Sequence, residues 1–340
     1  MNTAARLALG LHFGADSVRA MGVTLDGEIL AITTGEPTGV IDLALAETGA
    51  SPTSVLSLGM AVAEGREHEA AATLEDATEK LGLPAGLPVA GPIAELDATV
   101  PGVGVAEPST MVLVMGPTLA GRLNSRRHKE PGPVATMEPD GILPGYYGYR
   151  FPARPLGDEL DRLEDFLASD AQTLGDAAAE LDPGADGLIW PPDGPIIGLK
   201  PDHGRAHLYR ARLEAIAFDL RLAVEQMRDA GVPVRRFVVT GPRAHRHPAL
   251  VRIFADILGE RIGIHPGEHP ALLGAAVRGV LAAGGDATGF PTPSTAIKAM
   301  ARPDDAPLQR PDRQAAAAYN TAFNRYRELT GPPGADNAVP

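Results

Sequence analysis

Three apolar runs near the N-terminal end, joined by very short turns, constrain this chain most. Leu7 to Phe13 is a dense apolar run, Gly14-Ala15-Asp16 is a turn, and Val18 to Leu25 reads as a second strand. Asp26-Gly27 is a two-residue hairpin signal, after which Glu28 to Thr34 returns as a third strand. Such a meander must lay its apolar face against something. Helical spacing of Ala70, Ala71, Leu74, Ala77 and Leu81 supplies one cover, after the buried run Val55 to Val62. Strand and helix patterns then alternate. Met111 to Met115 runs into Gly116-Pro117, residues 121–150 read as irregular, and Leu160 to Leu174 reads as a helix. Ala206 to Ala230 is the clearest helix, stopped by Gly231. Phe237 to Thr240 and Arg261 to His265 read as strands. Pro248 to Leu258, Ala271 to Ala283 and Gln314 to Thr330 read as helices, and the tail from Gly331 as disordered.

Composition excludes several functions. The chain has 340 residues, 30 Lys and Arg against 43 Asp and Glu, and a formal charge of −13. An acidic chain without a basic stripe is a poor binder of nucleic acid or of an anionic membrane. With no cysteine, disulfides, thiolate nucleophiles and zinc–thiolate sites are out. No stretch approaches the ~18 apolar residues of a membrane span, and the first residues do not read as a signal peptide, so a cytoplasmic protein is expected.

The opening LGLHFGADSVRAMGVTLDGEILA resembles that of the FGGY carbohydrate kinases, and the resemblance recurs in order along the chain. PVAGPIAELDATVPGVGV with MVLVMGPTLAG is similar to the stretch holding the catalytic Asp and second phosphate loop. DGILPGYYGYRFPARPLGD is similar to the ribulokinase segment beyond it. GPIIGLKPDHGRAHLYRARLEAIAFDLR nearly fits the second family signature, with Gly194, Gly198, His207, Leu208, Ala211 and Glu214 in place and Arg212 departing. VVTGPRAHRHPALVRIFADILG with HPALLGAAVRG resembles the adenosine-binding segment. The resemblance implies a two-lobed actin-like ATPase (RNase H-like) α/β fold of the sugar-kinase type. The first lobe is reduced and spans 1–92, the second 93–300, with a last helix packing across the lobes (301–330) and a tail (331–340). The missing sequence falls mainly between Gly65 and Glu67, where the family carries much of its sugar-binding insertion.

The departures fall on the chemistry. Where the family's first loop has Asp-Phe-Gly-Thr, this chain has His12, Phe13, Gly14 and Ala15. An imidazole does not replace a carboxylate for the hard Mg²⁺ ion. The second loop, Gly-Thr-Ser in the family, is Gly116-Pro117-Thr118, and Pro117 removes an N–H donor from a loop that cradles phosphate. The adenosine loop, Gly-Gly in the family, is Gly241-Pro242. Glu95 stands at the catalytic Asp, with Asp97 two residues on, and Arg150 stands where ribulokinases place a sugar-contacting Glu.

His12, Glu95 and Asp97 are therefore the candidate catalytic groups, though each also reads as a polar residue in a site no longer under load. Arg150 and Arg154 are candidate ligand clamps, because guanidinium suits carboxylate or phosphate, or else ordinary loop arginines. Gly14, Gly116, Thr118, Gly241 and Gly274 are candidate nucleotide contacts, or structural turn and packing residues. His245 and His247 form an H-x-H with no third ligand, and Arg126-Arg127-His128-Lys129 reads as a solvated run. Three functions remain. The chain is a ribulokinase-like protein that has lost efficient sugar phosphorylation and binds an anionic small molecule between its lobes, needing no cofactor. Or it is an active kinase using ATP and Mg²⁺, with Glu95 or Asp97 as base. Or it is a structural or regulatory module. A homodimer stays open.

Overall fold

Continuous burial, not alternation, marks the central strands. The computed structural model describes residues 6–80, 83–192, 194–302 and 307–330, without the side chains of 38 and 74–80. The expected tail, 331–340, and Leu81 of the expected helix lie outside the described residues. In chain order the strands and helices are β1 (Leu7–Phe13), β2 (Val18–Thr24), β3 (Ile29–Gly35), α1 (Pro37–Thr48), β4 (Val55–Val62), α2 (Glu67–Lys80), β5 (Val89–Ala94) and α3 (Glu95–Gly102). Next come β6 (Thr110–Met115), β7 (Thr118–Ser125), β8 (Thr136–Pro139), β9 (Tyr147–Pro155), α4 (Gly157–Leu167), α5 (Ala171–Ala179) and α6 (Arg205–Asp229). The rest are β10 (Arg236–Thr240), α7 (Pro242–Arg246), α8 (Pro248–Leu258), β11 (Ile262–Ile264), α9 (Pro270–Thr288), α10 (Pro293–Ala301), β12 (Leu308–Gln309) and α11 (Arg313–Thr330).

The chain divides into two compact units. The first holds Met1–Pro108, Glu138–Gly148 and Gly267–Asp305. Its five-stranded sheet has the order β3-β2-β1-β4-β5. The meander is antiparallel from Leu7↔Thr24 to Phe13↔Val18, while β1 and β4 run parallel, as do β4 and β5. All eight residues of β4 are buried, as expected of an inner parallel strand covered on both faces. Helix α1 covers β2 and β3, and α9 lies across β1 and β4. The approach of α9 is close because Gly59 has no Cβ: one built there would stand 1.9 Å from the Ala275 carbonyl oxygen.

This packing differs from the division expected at residue 92. Helices α9 and α10, expected in the second lobe, pack in the first unit, where α9 covers the apolar strands β1 and β4. Gly65, at φ +85°, makes the tight turn from β4 into α2.

The second unit holds Ser109–Met137, Tyr149–Pro266 and Ala306–Pro340. The seven-stranded sheet has the order β12-β11-β10-β6-β7-β9-β8, with β6 parallel to β10 and antiparallel to β7. The stretch read as irregular contains β8, most of β7 and the first four residues of β9. Alternation fails in β7 because seven of its eight residues are buried, among them Gly121, Arg122 and Asn124. Helix α11, expected to span the lobes, packs within this unit on α6 and α8. Phe218 of α6 meets Tyr319, Phe323 and Tyr326 at ring separations of 6.1, 5.8 and 5.2 Å.

Candidate functional site

In the first unit, β1 and α3 bring two candidates together. His12 is the penultimate residue of β1 and Glu95 the first of α3, immediately after β5. His12 Nε2 lies 2.8 Å from Glu95 Oε2, with the side chains 15% and 42% exposed. The ring donates to the carboxylate as imidazolium or as the Nε2–H tautomer. That hydrogen bond, with the attraction of the ring, holds the Glu95 carboxyl below its ordinary range against the opposing effect of burial. Gly14 closes the following turn by donating its N–H to Ser17 O at 3.0 Å. Arg66 donates to the Gly14 carbonyl and is held by Glu69, so the turn is anchored from α2.

One cation and one neutralised histidine stand near this pair. Arg19 stands directly across from His12 in the β1–β2 register. Burial, then the charges of Arg19 and His12, hold the His269 ring at the start of α9 below the usual histidine range, with Glu268 opposing. Asp97 is not part of this surface. It is fully buried, and its charge acts on Arg278 of α9, whose guanidinium donates to Ile142 O at 2.5 Å. The structure therefore places Asp97 inside the packing of α3, where a bound substrate hydroxyl would not meet it. Gly274 is accounted for by packing as well: a Cβ there would stand 1.7 Å from Ala98 O.

In the second unit, Gly116 spends its N–H on Thr118 O at 2.9 Å, closing the β6–β7 hairpin. Pro117 offers only its carbonyl, which accepts from Leu156 and Gly157 at 2.9 and 2.8 Å at the start of α4. Gly241 has φ +99°, and a Cβ would stand 2.6 Å from Met115 O, so this glycine lets the α7 turn back onto the end of β6. Sequence reasoning missed the ion pairs beside these loops. Arg243 of α7 grips Asp161 of α4 with both nitrogens, at 2.6 and 2.5 Å, and Arg246 reaches Glu164 at 2.9 Å. The partners are 82 residues apart, and no local spacing announces them.

Arg150 and Arg154 lie on β9 at positions of the same parity. Arg150 is half-buried. Arg154 lies 5.9 Å from the Phe151 ring centroid and lines a small hollow together with Glu159 and Asp219. The departing Arg212 is buried, pairs with Glu159 and donates to Pro191 O at 2.6 Å. His247 is buried against the Tyr209 hydroxyl at 3.2 Å while His245 is exposed, so the H-x-H does not converge. Among the described residues no three His, Asp or Glu side chains form a metal-holding group. The basic run 126–129 is exposed, as expected.

Residues 161–283 match the C-terminal domain of the FGGY family of carbohydrate kinases. In this segment the chain is similar to the FGGY kinases. It is 28% identical over 292 residues to a ribulokinase of Bacillus licheniformis, covering 77% of this chain and 52% of that one. A ribulokinase of Mycolicibacterium smegmatis is also 28% identical, over 78% of this chain and 51% of its own. The chain thus spans about half the length of the curated FGGY relatives it matches. The xylulose kinase of Rhodospirillum rubrum superposes with a TM-score of 0.78 at 18% identity, covering 95% of this chain and 98% of that one. The glycerol kinase of Plasmodium falciparum with ADP gives 0.72 at 11% identity, over 95% and 98%. The fold is that of the two-lobed, actin-like sugar kinases. No helix among the described residues is long and apolar enough to cross a membrane.

Proposed function

We propose that this FGGY relative has lost efficient ATP-dependent phosphorylation of a sugar and works as a binder of small anionic molecules. The observation that carries the reading is the His12–Glu95 bond of 2.8 Å. The family resemblance gives these two positions to the magnesium-associated carboxylate and the catalytic base. A carboxylate engaged by an imidazole and depressed in pKa is a poor base, and the pair offers a hard cation less negative charge than two carboxylates would. The phosphate-handling backbone is short of donors as well, since Gly116 N–H is spent within its own hairpin and Pro117 and Pro242 carry none. These residues do not fit magnesium and ATP as the FGGY pattern holds them, and no phosphoryl-transfer step is drawn through them. Arg19, across from His12 in the register, favours an anion.

The competing reading is an active kinase in which Glu95, its carboxylate still 42% exposed, takes the proton of the acceptor hydroxyl. Calorimetry with Mg·ATP and a coupled assay for ribulose-dependent ADP release separate the two. The proposal expects no micromolar, magnesium-dependent binding and no ribulose-dependent ADP release above buffer. Either signal overturns it.

A further inference from the structure

The second unit contains a hollow of about 220 Å³ between residues 183–189, α6 and α11, lined by none of the candidates above. Its walls are mostly apolar: Gly184, Ala211, Ala215 and Ala322 leave the space, and Leu188 and Phe218 bound it. The volume is below the roughly 300 Å³ of drug-sized pockets and above the ~150 Å³ that holds a benzene ring. It suits one ring with a short substituent.

Two polar groups line this hollow and differ in kind. Glu214 is 2% exposed. Its Oε1 accepts from Arg210 Nε at 2.8 Å, from the Gly184 N–H at 3.0 Å and from the Tyr319 hydroxyl at 2.9 Å. None of these three bonds falls on Oε2, which leaves a buried acceptor in a residue that faces the hollow. Arg210 already balances the Glu214 charge, so a neutral hydroxyl donor suits Oε2 better than a second cation. Arg325 stands at the exposed side of the hollow, on α11, with no ion pair or hydrogen bond among the described residues. An unpaired guanidinium at a rim suits a carboxylate.

We infer that this hollow binds a small hydroxy acid with an aromatic body. The hydroxyl donates to Glu214 Oε2, the ring lies against Leu188 and Phe218, and the carboxylate meets Arg325. The site would be independent of the His12–Glu95 pair.

The probe is 4-hydroxyphenylacetate, titrated into the full chain by calorimetry. Phenylacetate lacks the hydroxyl and 4-methylphenol lacks the acid, and each should bind roughly tenfold more weakly. Arg325→Ala should weaken 4-hydroxyphenylacetate by about the same factor and leave 4-methylphenol unchanged. Ala322→Phe, at a half-buried lining position, should fill the hollow and abolish binding of both while circular dichroism stays that of the parent. The inference is overturned if 4-hydroxyphenylacetate does not bind at millimolar concentration, or if its affinity survives both substitutions.

Discussion

Gly274→Ala should cost this protein more than any surface change. The family resemblance assigns Gly274 to nucleotide, but the α3–α9 crossing gives it a packing task. A methyl group there would stand 1.7 Å from Ala98 O and 2.7 Å from the Ala98 carbonyl carbon. Gly102 faces Pro270 O in the same way, also at 1.7 Å, so the two helices touch backbone to backbone at both points. Ordinary contact begins at 3.4 Å, and the obstacle is a carbonyl within a helix, which cannot rotate aside. One methylene forced into a packed core costs about 1–3 kcal/mol, and an immovable backbone obstacle puts this case near the upper end. At about 2–4 °C per kcal/mol, the midpoint should fall by roughly 6–12 °C. Gly39→Ala in α1 is the control: nothing lies within 4 Å of its added Cβ. Removing a helical glycine there should gain about 0.5–1 kcal/mol. Because α3 starts at Glu95, displacing it also stretches the bond to His12, and the Glu95 carboxyl should titrate higher in carbon-detected NMR. Scanning calorimetry of both variants is the assay. A Gly274→Ala midpoint within about 2 °C of the parent would refute the packing argument.

Arg212→Ala should destabilise the second unit by about 3–5 kcal/mol, because it strands the Glu159 partner and empties the carbonyl cluster at 190–192. Denaturant titration should show much of that loss recovered when Glu159→Leu is added to Arg212→Leu, and no recovery would contradict the ion-pair account. Burial, then the charges of Arg243 and Arg246, push His247 down to about 4, against an ordinary value of 6.5. Between those values the unfolded chain takes up a proton that the folded ring refuses, so His247 makes stability fall as pH drops from about 6.5 to about 4. Glu164, raised by burial and 3.6 Å away, works in the opposite direction. A His247→Gln variant should show a shallower acid limb in unfolding free energy, and an unchanged slope would sink the assignment.

The meander, the Asp26-Gly27 hairpin and the long α6 were legible because each carries its signal locally. Helix α1 likewise ends at a glycine, Gly49, at φ +63°. What escaped was decided across the chain. The length of β7 was hidden because it is buried on both faces, so no period of two survives. The membership of α9 was hidden because its small-residue face, with Gly274 and Gly279, fits glycines on β1, β4 and α3 that sequence cannot pair with it. At the site, the substituted positions were legible, but the direct contact of His12 with Glu95 was not. Nor was the burial of Asp97, since a carboxylate two residues into a helix reads the same whether it faces solvent or an arginine from α9.

The two carboxylate-site departures make physical sense as one change. Against an aspartate at position 12, a glutamate at 95 would bring two negative charges together, which raises both pKa values or demands a cation between them. Against His12, the same glutamate finds a donor, and the extra methylene supplies the reach for a 2.8 Å bond. The imidazole then answers the carboxylate directly, and Arg19 stands across from it in the strand register. Pro117 and Pro242 act in the same direction on the second unit by deleting N–H donors from two loops. Because groups that act as a unit in catalysis are not additive, reversing one of these changes leaves the others in force. An aspartate restored at position 12 would face Glu95 with no imidazole between them, and the phosphate loops would still lack their donors. The four substitutions therefore act as one unit, and a test that reverses only one of them does not decide between the two proposed readings.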